Sequence, residues 1–225
     1  MLLGFLDQAV KNRSLGRPHY NPLIDILFVC TGNICRSPMA EAIFNWRCAE
    51  REIDARATSV GLTWNGRPAT DEAVDVLGRR GIDLSGHASR VLAAAMIAEA
   101  DLVIGMERRH VREAVVLEPS SFGRTFTLKE LSRTIRSTPV VPGETLADWL
   151  GRAGADREVR HLLGSDPADD VEDPYQQSLR RYADCADELA YLVEDVVSLV
   201  ARVAPTAPTA VAGAYDWVAE PPEGR

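Results

Sequence analysis

A chain of 225 residues, 46% hydrophobic and 26% charged, is long enough to bury one sizeable core and has the make-up of a globular protein. Its net charge of -8 argues against a nucleic-acid partner and against general attraction to anionic membranes, so a bound anion has to be met by a local positive site. The 4 cysteines, Cys30, Cys35, Cys48 and Cys185, do not form the framework of a small disulfide-rich secreted fold, which favours a reducing compartment.

Residues 1–22 form an N-terminal extension. In it Leu2, Leu3, Phe5, Leu6, Ala9 and Val10 recur at helical spacing until Gly16-Arg17-Pro18 breaks the pattern, so a short helix is expected. Met1 to Leu6 lacks a basic start and a cleavage-like site and does not read as a signal peptide. No apolar run is long enough to span a bilayer. The cytoplasm is the default compartment, with signal-less export left open.

Ile26-Leu27-Phe28-Val29 is a short apolar run of the kind found in buried parallel strands. It ends at Cys30, and Thr31-Gly32-Asn33-Ile34-Cys35-Arg36 follows. Ser37 suits an N-cap and Pro38 a first helical position, so a helix is expected over 38–51. Met39, Ala42, Ile43 and Trp46 make its apolar stripe, with Cys48 off that stripe or at its edge.

A second strand is expected over 57–60, then a loop through Trp64-Asn65-Gly66-Arg67-Pro68, then a helix over 70–80 closed by Gly81. The alanine-rich stretch 90–98 reads as helical, Asp101 to Gly105 as a third strand, and 106–115 as a helix. Residues 125–128 read as a short fourth strand, followed by a helix over 129–135. Alternating strands and helices predict an α/β fold, a parallel sheet covered on both faces, with ligands beyond the carboxyl ends of the strands. Residues 138–165, opened by Pro139 and Pro142, suggest one or two helices around Leu146, Trp149, Leu150, Val159, Leu162 and Leu163. An acidic loop spans 166–173. Tyr182, Ala186, Leu189, Val193, Val196 and Val200 predict a long closing helix over 177–202, and 204–225, rich in Pro, Ala and Gly, a loose tail.

Cys30 and Arg36 carry the chemistry, in the spacing C-x5-R between a strand and a helix. A loop of this length can turn its backbone N–H groups inward as a nest for an anion, with the positive end of the helix aimed at the same place. Arg36 adds a planar fork that matches two phosphate oxygens. A cysteine at the bottom of such an electropositive cup is a candidate thiolate nucleophile. Histidines 19, 87, 110 and 161 are scattered without metal-ligand spacing, so neither a metal nor an organic cofactor is expected.

Cys30 to Ala40, CTGNICRSPMA, together with Asp173-Pro174-Tyr175, resembles the low-molecular-weight protein tyrosine phosphatases, whose C-x5-R-S lies near the N-terminus and Asp-Pro-Tyr near the C-terminus. The likeness covers roughly 25–203, so the phosphatase domain is taken as 23–203 with 138–165 as an insertion. It implies a three-layer α/β/α fold, a four-stranded parallel sheet of the flavodoxin-like, doubly wound kind. It implies hydrolysis of phosphotyrosine in a protein, or of a small aryl phosphate, through phospho-Cys30. In that scheme Asp173 protonates the leaving oxygen and then activates water, with Asp170 the runner-up.

Thr31, Gly32, Asn33, Ile34 and Cys35 would cradle the phosphoryl group, and Ser37 would donate its hydroxyl to the Cys30 sulfur. Ser59 and His87 match positions that hydrogen-bond Asn33 in the family. Trp64 falls near an aromatic gate, Tyr175 offers an aromatic wall, and Cys35 matches a cysteine that can trap the oxidised nucleophile as a disulfide. A monomer or weak dimer, without nucleic acid or membrane, is expected.

Two rivals differ in chemistry. Arsenate reductases on the same scaffold usually read Arg-Ser-Gln-Met where this chain has Arg36-Ser37-Pro38-Met39, and their relay type needs two further cysteines, absent between Cys48 and Cys185. A non-catalytic phosphotyrosine-binding module would be expected to lose the nucleophile or the acid, and both are present. Unrelated C-x5-R phosphatases usually place a His before the Cys, where Val29 stands here, and their acid before the nucleophile.

Overall fold

The structure, a computed structural model, describes residues 23–203. The helix expected within 1–22 and the tail expected from 204 lie outside the described residues.

Four strands form one sheet, parallel as the alternation of elements predicts, in the order β2-β1-β3-β4. They are β1 (Ile24–Cys30), β2 (Ala55–Gly61), β3 (Leu102–Gly105) and β4 (Thr125–Thr127). The helices are α1 (Arg36–Glu50), α2 (Asp71–Gly78), α3 (Ala94–Glu99), α4 (Arg108–Leu117), α5 (Leu128–Ser137), α6 (Leu146–Ala153) and α7 (Leu179–Val203).

Side chains of β1 alternate between two apolar layers, because successive residues of a strand point to opposite faces. Ile26, Phe28 and Cys30 enter the larger layer, whose helical residues include Met39 and Phe44 of α1 and Leu189 and Val193 of α7. Leu27 and Val29 enter the smaller one, with Ile97 of α3 and Ala114 of α4. The three layers α/β/α follow. Phe28 meets Phe44 edge-on, ring centroids 6.3 Å apart.

The chain steps from β1 to β2 on one side of the sheet and returns to β3 on the other. The switch point therefore lies at the carboxyl end of β1, where α/β sheets leave a crevice. Cys30 stands there, paired in register with Gly61.

Three local expectations are corrected. First, α1 begins at Arg36 with Cys35 as its N-cap, so Ser37 and Pro38 lie inside the first turn. The Ser37 hydroxyl is engaged by the Cys30 sulfur instead of capping the helix. Second, Cys48 is buried, because α1 is covered by the sheet on one side and α7 on another, which widens its apolar face. Third, the helix expected over 90–98 starts only at Ala94. Val91 forms a parallel bridge with Gly61, and Gly61 N–H donates to Arg90 O (2.7 Å) while Leu92 N–H donates to Gly61 O (2.8 Å). The chain is thus extended where it passes the end of β2.

Gly81 does take a left-handed conformation, φ 75°, after α2. Within 138–165, α6 is opened by a reciprocal cap between Thr145 and Asp148, and Trp149 is fully buried with Nε1 donating to Thr138 O (2.9 Å). Val159 and Leu163 are exposed, so the pattern there does not continue as a buried helical face; Val159–Leu162 is a short 3-10 turn. Among the described residues no helix is long and apolar enough to cross a membrane.

Candidate active site

The loop between β1 and α1 is held from outside by hydrogen bonds to its carbonyls. Thr31 O accepts from Leu62 N–H (2.8 Å) and from the Thr63 hydroxyl (3.0 Å). Asn33 O accepts from His87 Nε2–H (2.7 Å), and Ile34 O from Thr70 N–H (2.9 Å). In a trans peptide unit the C=O and the following N–H point in opposite directions. The amides of Gly32, Ile34 and Cys35 are therefore turned to the inner side of the loop, a geometry suited to an anion.

Asn33 is the knot of this arrangement. Its backbone is left-handed, φ 53°, which asparagine tolerates better than most residues. Its side-chain Nδ2 donates to Ser37 Oγ (3.0 Å) and Ser59 Oγ (2.7 Å), and its Oδ1 accepts from Arg90 N–H (2.9 Å). Its own N–H points at Cys30 Sγ (3.1 Å). A Cβ on Gly61 would lie 2.8 Å from that nitrogen, so only glycine fits opposite Cys30. The extended stretch at Arg90 and Val91 that displaces the start of α3 is thus part of the site's scaffold.

Cys30 Sγ accepts a second hydrogen bond, from Ser37 Oγ (3.0 Å). Two donors converging on one sulfur is the arrangement that an anionic sulfur needs. Arg36 is buried, with Nη2 donating to Asp173 Oδ2 (2.6 Å) and Nη1 to Val171 O (2.9 Å) and to the Glu107 carboxylate. Burial works against its charge, but Asp173, Cys30 and Glu107 more than offset this and raise its pKa.

A cleft of about 40 Å³ opens between Cys30 and Arg36 at its base and Ile34, Trp64, Asp173 and Tyr175 along its sides. Trp64 and Tyr175 meet edge-on, centroids 5.9 Å apart, and the indole lies so close to Gly32 that a Cβ there would sit 2.7 Å from it. The residues expected from sequence are therefore gathered in one place. Asp170 is not among the residues lining this cleft: its carboxylate accepts from Arg108 N–H (2.8 Å) and Asp166 N–H (3.2 Å). Cys35 is a free thiol within hydrogen-bond distance of Tyr182 Oη (3.4 Å) and Thr70 Oγ1 (3.6 Å), its pKa pushed up to about 11 by burial.

A larger cleft of about 900 Å³ lies at the opposite end of the strands, bordered by Ile24, Asp101 and Leu146. Its described lining holds no cysteine or histidine, so the smaller cleft is where the chemistry is concentrated. Among the described residues no group of His, Cys, Asp or Glu is placed to hold a metal ion.

Four contributors are not singled out by sequence reasoning. Glu107 braces Arg36, Glu41 accepts from the Ser59 hydroxyl, Arg90 supplies an amide to Asn33, and His110 Nε2 lies 3.0 Å from Thr31 Oγ1. Only Glu107 left a usable signal, an acid just past the end of the strand beside β1. His110 is wholly buried with Nδ1 unpartnered, and its pKa is pushed down to about 3 by burial and by Arg36, Arg109 and Arg112. A bare ring nitrogen is cheaper to leave unpaired than an N–H, which assigns the proton to Nε2 and makes it a donor to Thr31.

The family model for low molecular weight phosphotyrosine protein phosphatase matches residues 25–139. The chain belongs to this family. It is 38% identical over 108 residues to a Ralstonia solanacearum protein named as a probable low molecular weight protein-tyrosine-phosphatase, EpsP, covering 48% of this chain and 72% of that one. It is 44% identical over 114 residues to the protein-arginine-phosphatase of Bacillus subtilis (strain 168), covering 48% and 71%. A crystal structure of the low molecular weight protein tyrosine phosphatase from T. tengcongensis superposes with a TM-score of 0.61 and 34% identity, covering 78% of this chain and 99% of that one. Membership fixes the flavodoxin-like α/β fold and makes the chain a phosphatase that works through a phosphocysteine, in line with the resemblance read from the two motifs.

Proposed function

We propose that Cys30, Arg36 and Asp173 are the catalytic residues, acting on phosphotyrosine in proteins or on small aryl phosphates. The observation that carries this is the convergence on one cleft of a doubly hydrogen-bonded sulfur, a buried guanidinium and the Asp173 carboxyl. The substrate's phosphoryl oxygens take the nest amides and the Nη2 that Arg36 otherwise gives to Asp173. Cys30 Sγ attacks phosphorus; the S–P bond forms as the P–O bond to the ring breaks, and Asp173 delivers a proton to the leaving oxygen. Water then attacks phosphorus, Asp173 takes its proton, and inorganic phosphate leaves with the thiolate restored.

Ser59, His87 and Asn33 keep the nest in shape, while Trp64 and Tyr175 flank the ring of the substrate. The protein works in the cytoplasm, a reading supported by four unpaired thiols, and is taken to act as a monomer or weak dimer.

The likeness to a protein-arginine-phosphatase raises phosphoarginine as a second substrate. The Ile34 wall favours the aryl ester, since its methyl and methylene groups offer no acceptor to the guanidine N–H groups of a phosphoarginine. Steady-state turnover of a phosphotyrosine peptide beside a phosphoarginine peptide decides between them. With the phosphotyrosine peptide, Cys30→Ser is expected to abolish turnover while inorganic phosphate still binds; a Cys30→Ser enzyme with normal turnover would refute the assignment.

A further inference from the structure

Beside Trp64, a wall of the cleft, stands a cation that meets no carboxylate among the described residues. The Arg67 guanidinium lies over the Trp64 ring, 4.2 Å from its centroid. Arg67 is exposed, and among the described residues no carboxylate hydrogen-bonds or ion-pairs with it. Its backbone is clamped: Arg67 N–H donates to Ser89 Oγ (3.0 Å), Ser89 N–H to Arg67 O (2.7 Å), and Gly66 N–H to Ser89 O (2.7 Å). The stacked indole and the clamped backbone both restrict the side chain, so little orientational entropy remains to be lost when an anion arrives.

The other side of the mouth is different. There Arg181, six residues after Tyr175 in the chain, is already paired with Glu172 (2.7 Å). Other described arginines also lack a carboxylate partner, but Arg67 is stacked on Trp64, a wall of the cleft that holds Cys30.

We propose that Arg67 is a recognition subsite for an acidic residue, Asp or Glu, flanking the phosphorylated tyrosine of a protein substrate. This rests on the reading of the Cys30 cleft as a phosphotyrosine site. With the substrate ring against Trp64, the peptide backbone leaves the cleft past the indole, and a neighbouring carboxylate meets the free edge of the guanidinium. A phosphorylated segment with acidic neighbours is thereby preferred over one with lysines, and a small aryl phosphate, having no flanking residues, makes no use of Arg67.

The test compares kcat/KM for a phosphotyrosine peptide flanked by Glu, the same peptide flanked by Lys, and p-nitrophenyl phosphate, in the wild type, Arg67→Gln and Arg67→Glu. The wild type is expected to favour the Glu peptide over the Lys peptide by roughly three- to fivefold at low salt, the scale of an exposed ion pair, with the preference shrinking as salt is added. Arg67→Gln should erase the preference and Arg67→Glu reverse it, with p-nitrophenyl phosphate turned over as before. Equal use of both peptides by the wild type would overturn the subsite while leaving the cleft's function standing. So would an Arg67→Glu enzyme equally impaired on p-nitrophenyl phosphate, because the arginine would then act on the phosphoryl group itself. No turnover of any of the three would overturn the phosphotyrosine reading and the subsite with it.

Discussion

Asp170 and Asp173 share one acidic loop but not one environment. Asp173 reaches the cleft and meets Arg36 Nη2, while Asp170 accepts the Asp166 amide of its own loop and the Arg108 amide at the start of α4, where a carboxylate also complements the helix dipole. The amide that replaces the acid in Asp173→Asn has no proton to give to a leaving phenolate. Turnover of an aryl phosphate should fall by roughly 10²-fold or more. Asp170→Asn keeps an oxygen that can still accept from Arg108 N–H, so its kcat should stay close to that of the wild type. Steady-state kinetics on the two variants separates the roles; a larger loss in Asp170→Asn would move the acid to that residue.

Among the elements, the loop that carries Asp173 depends on α4. Arg108 Nε donates to Asp169 (2.6 Å), Nη2 to Asp166 (3.0 Å), and Arg133 of α5 also grips Asp169. Burial disfavours the charge of Asp169, yet hydrogen bonds from Arg133 and Arg108 hold its carboxyl below the ordinary carboxylate range. Val171 N–H then donates to Met106 O (2.8 Å), next to β3. Removing the side chain in Arg108→Ala loosens the loop without touching the phosphate nest. It is expected to lower kcat roughly tenfold, short of the ~10²-fold that a 1 Å misplacement can cause, with the inhibition constant for inorganic phosphate little changed. Kinetics with phosphate as inhibitor checks this, and an equal weakening of phosphate binding would contradict it.

Legibility from the sequence follows the range of the forces involved. The strand before Cys30, the loop and the Asp-Pro-Tyr were readable because apolar runs and short motifs are local signals. The alanine-rich stretch at 90–98 was misjudged because the pairing of Val91 with Gly61 competes with helical propensity, and pairing is invisible in one segment alone. Cys48 was misplaced because a stripe drawn for one packing partner ignores the second face that α7 covers. Glu41 and His110 reach the site only after the sheet order is set, which spacing along the chain does not encode.

The whole molecule carries the consequence of keeping His110 neutral inside it. An ordinary histidine titrates near pH 6.5, whereas this one is pushed down to about 3, by burial first and then by the nearby charges of Arg36, Arg109 and Arg112. The unfolded chain therefore binds a proton that the folded chain refuses. The contribution is fully present above pH 6.5 and drains away as pH falls toward 3, at up to about 1.4 kcal/mol per pH unit. Between pH 7 and pH 5 the wild type should lose roughly 2 kcal/mol more stability than His110→Gln, measured by urea unfolding at the two values. Identical pH slopes in the two proteins would show that His110 titrates freely.

The carbonyls of Thr31, Asn33 and Ile34 are tethered by Leu62, His87 and Thr70, which belong to separate stretches of the chain. A synthetic copy of Cys30 to Ser37 would carry the sulfur, the guanidinium and the amides and yet have nothing to aim them, since the moulds that shape it are supplied from elsewhere. The affinity for an oxyanion is thus a property of the finished architecture, and a fragment severed from those supports would hold the anion-binding groups and bind nothing.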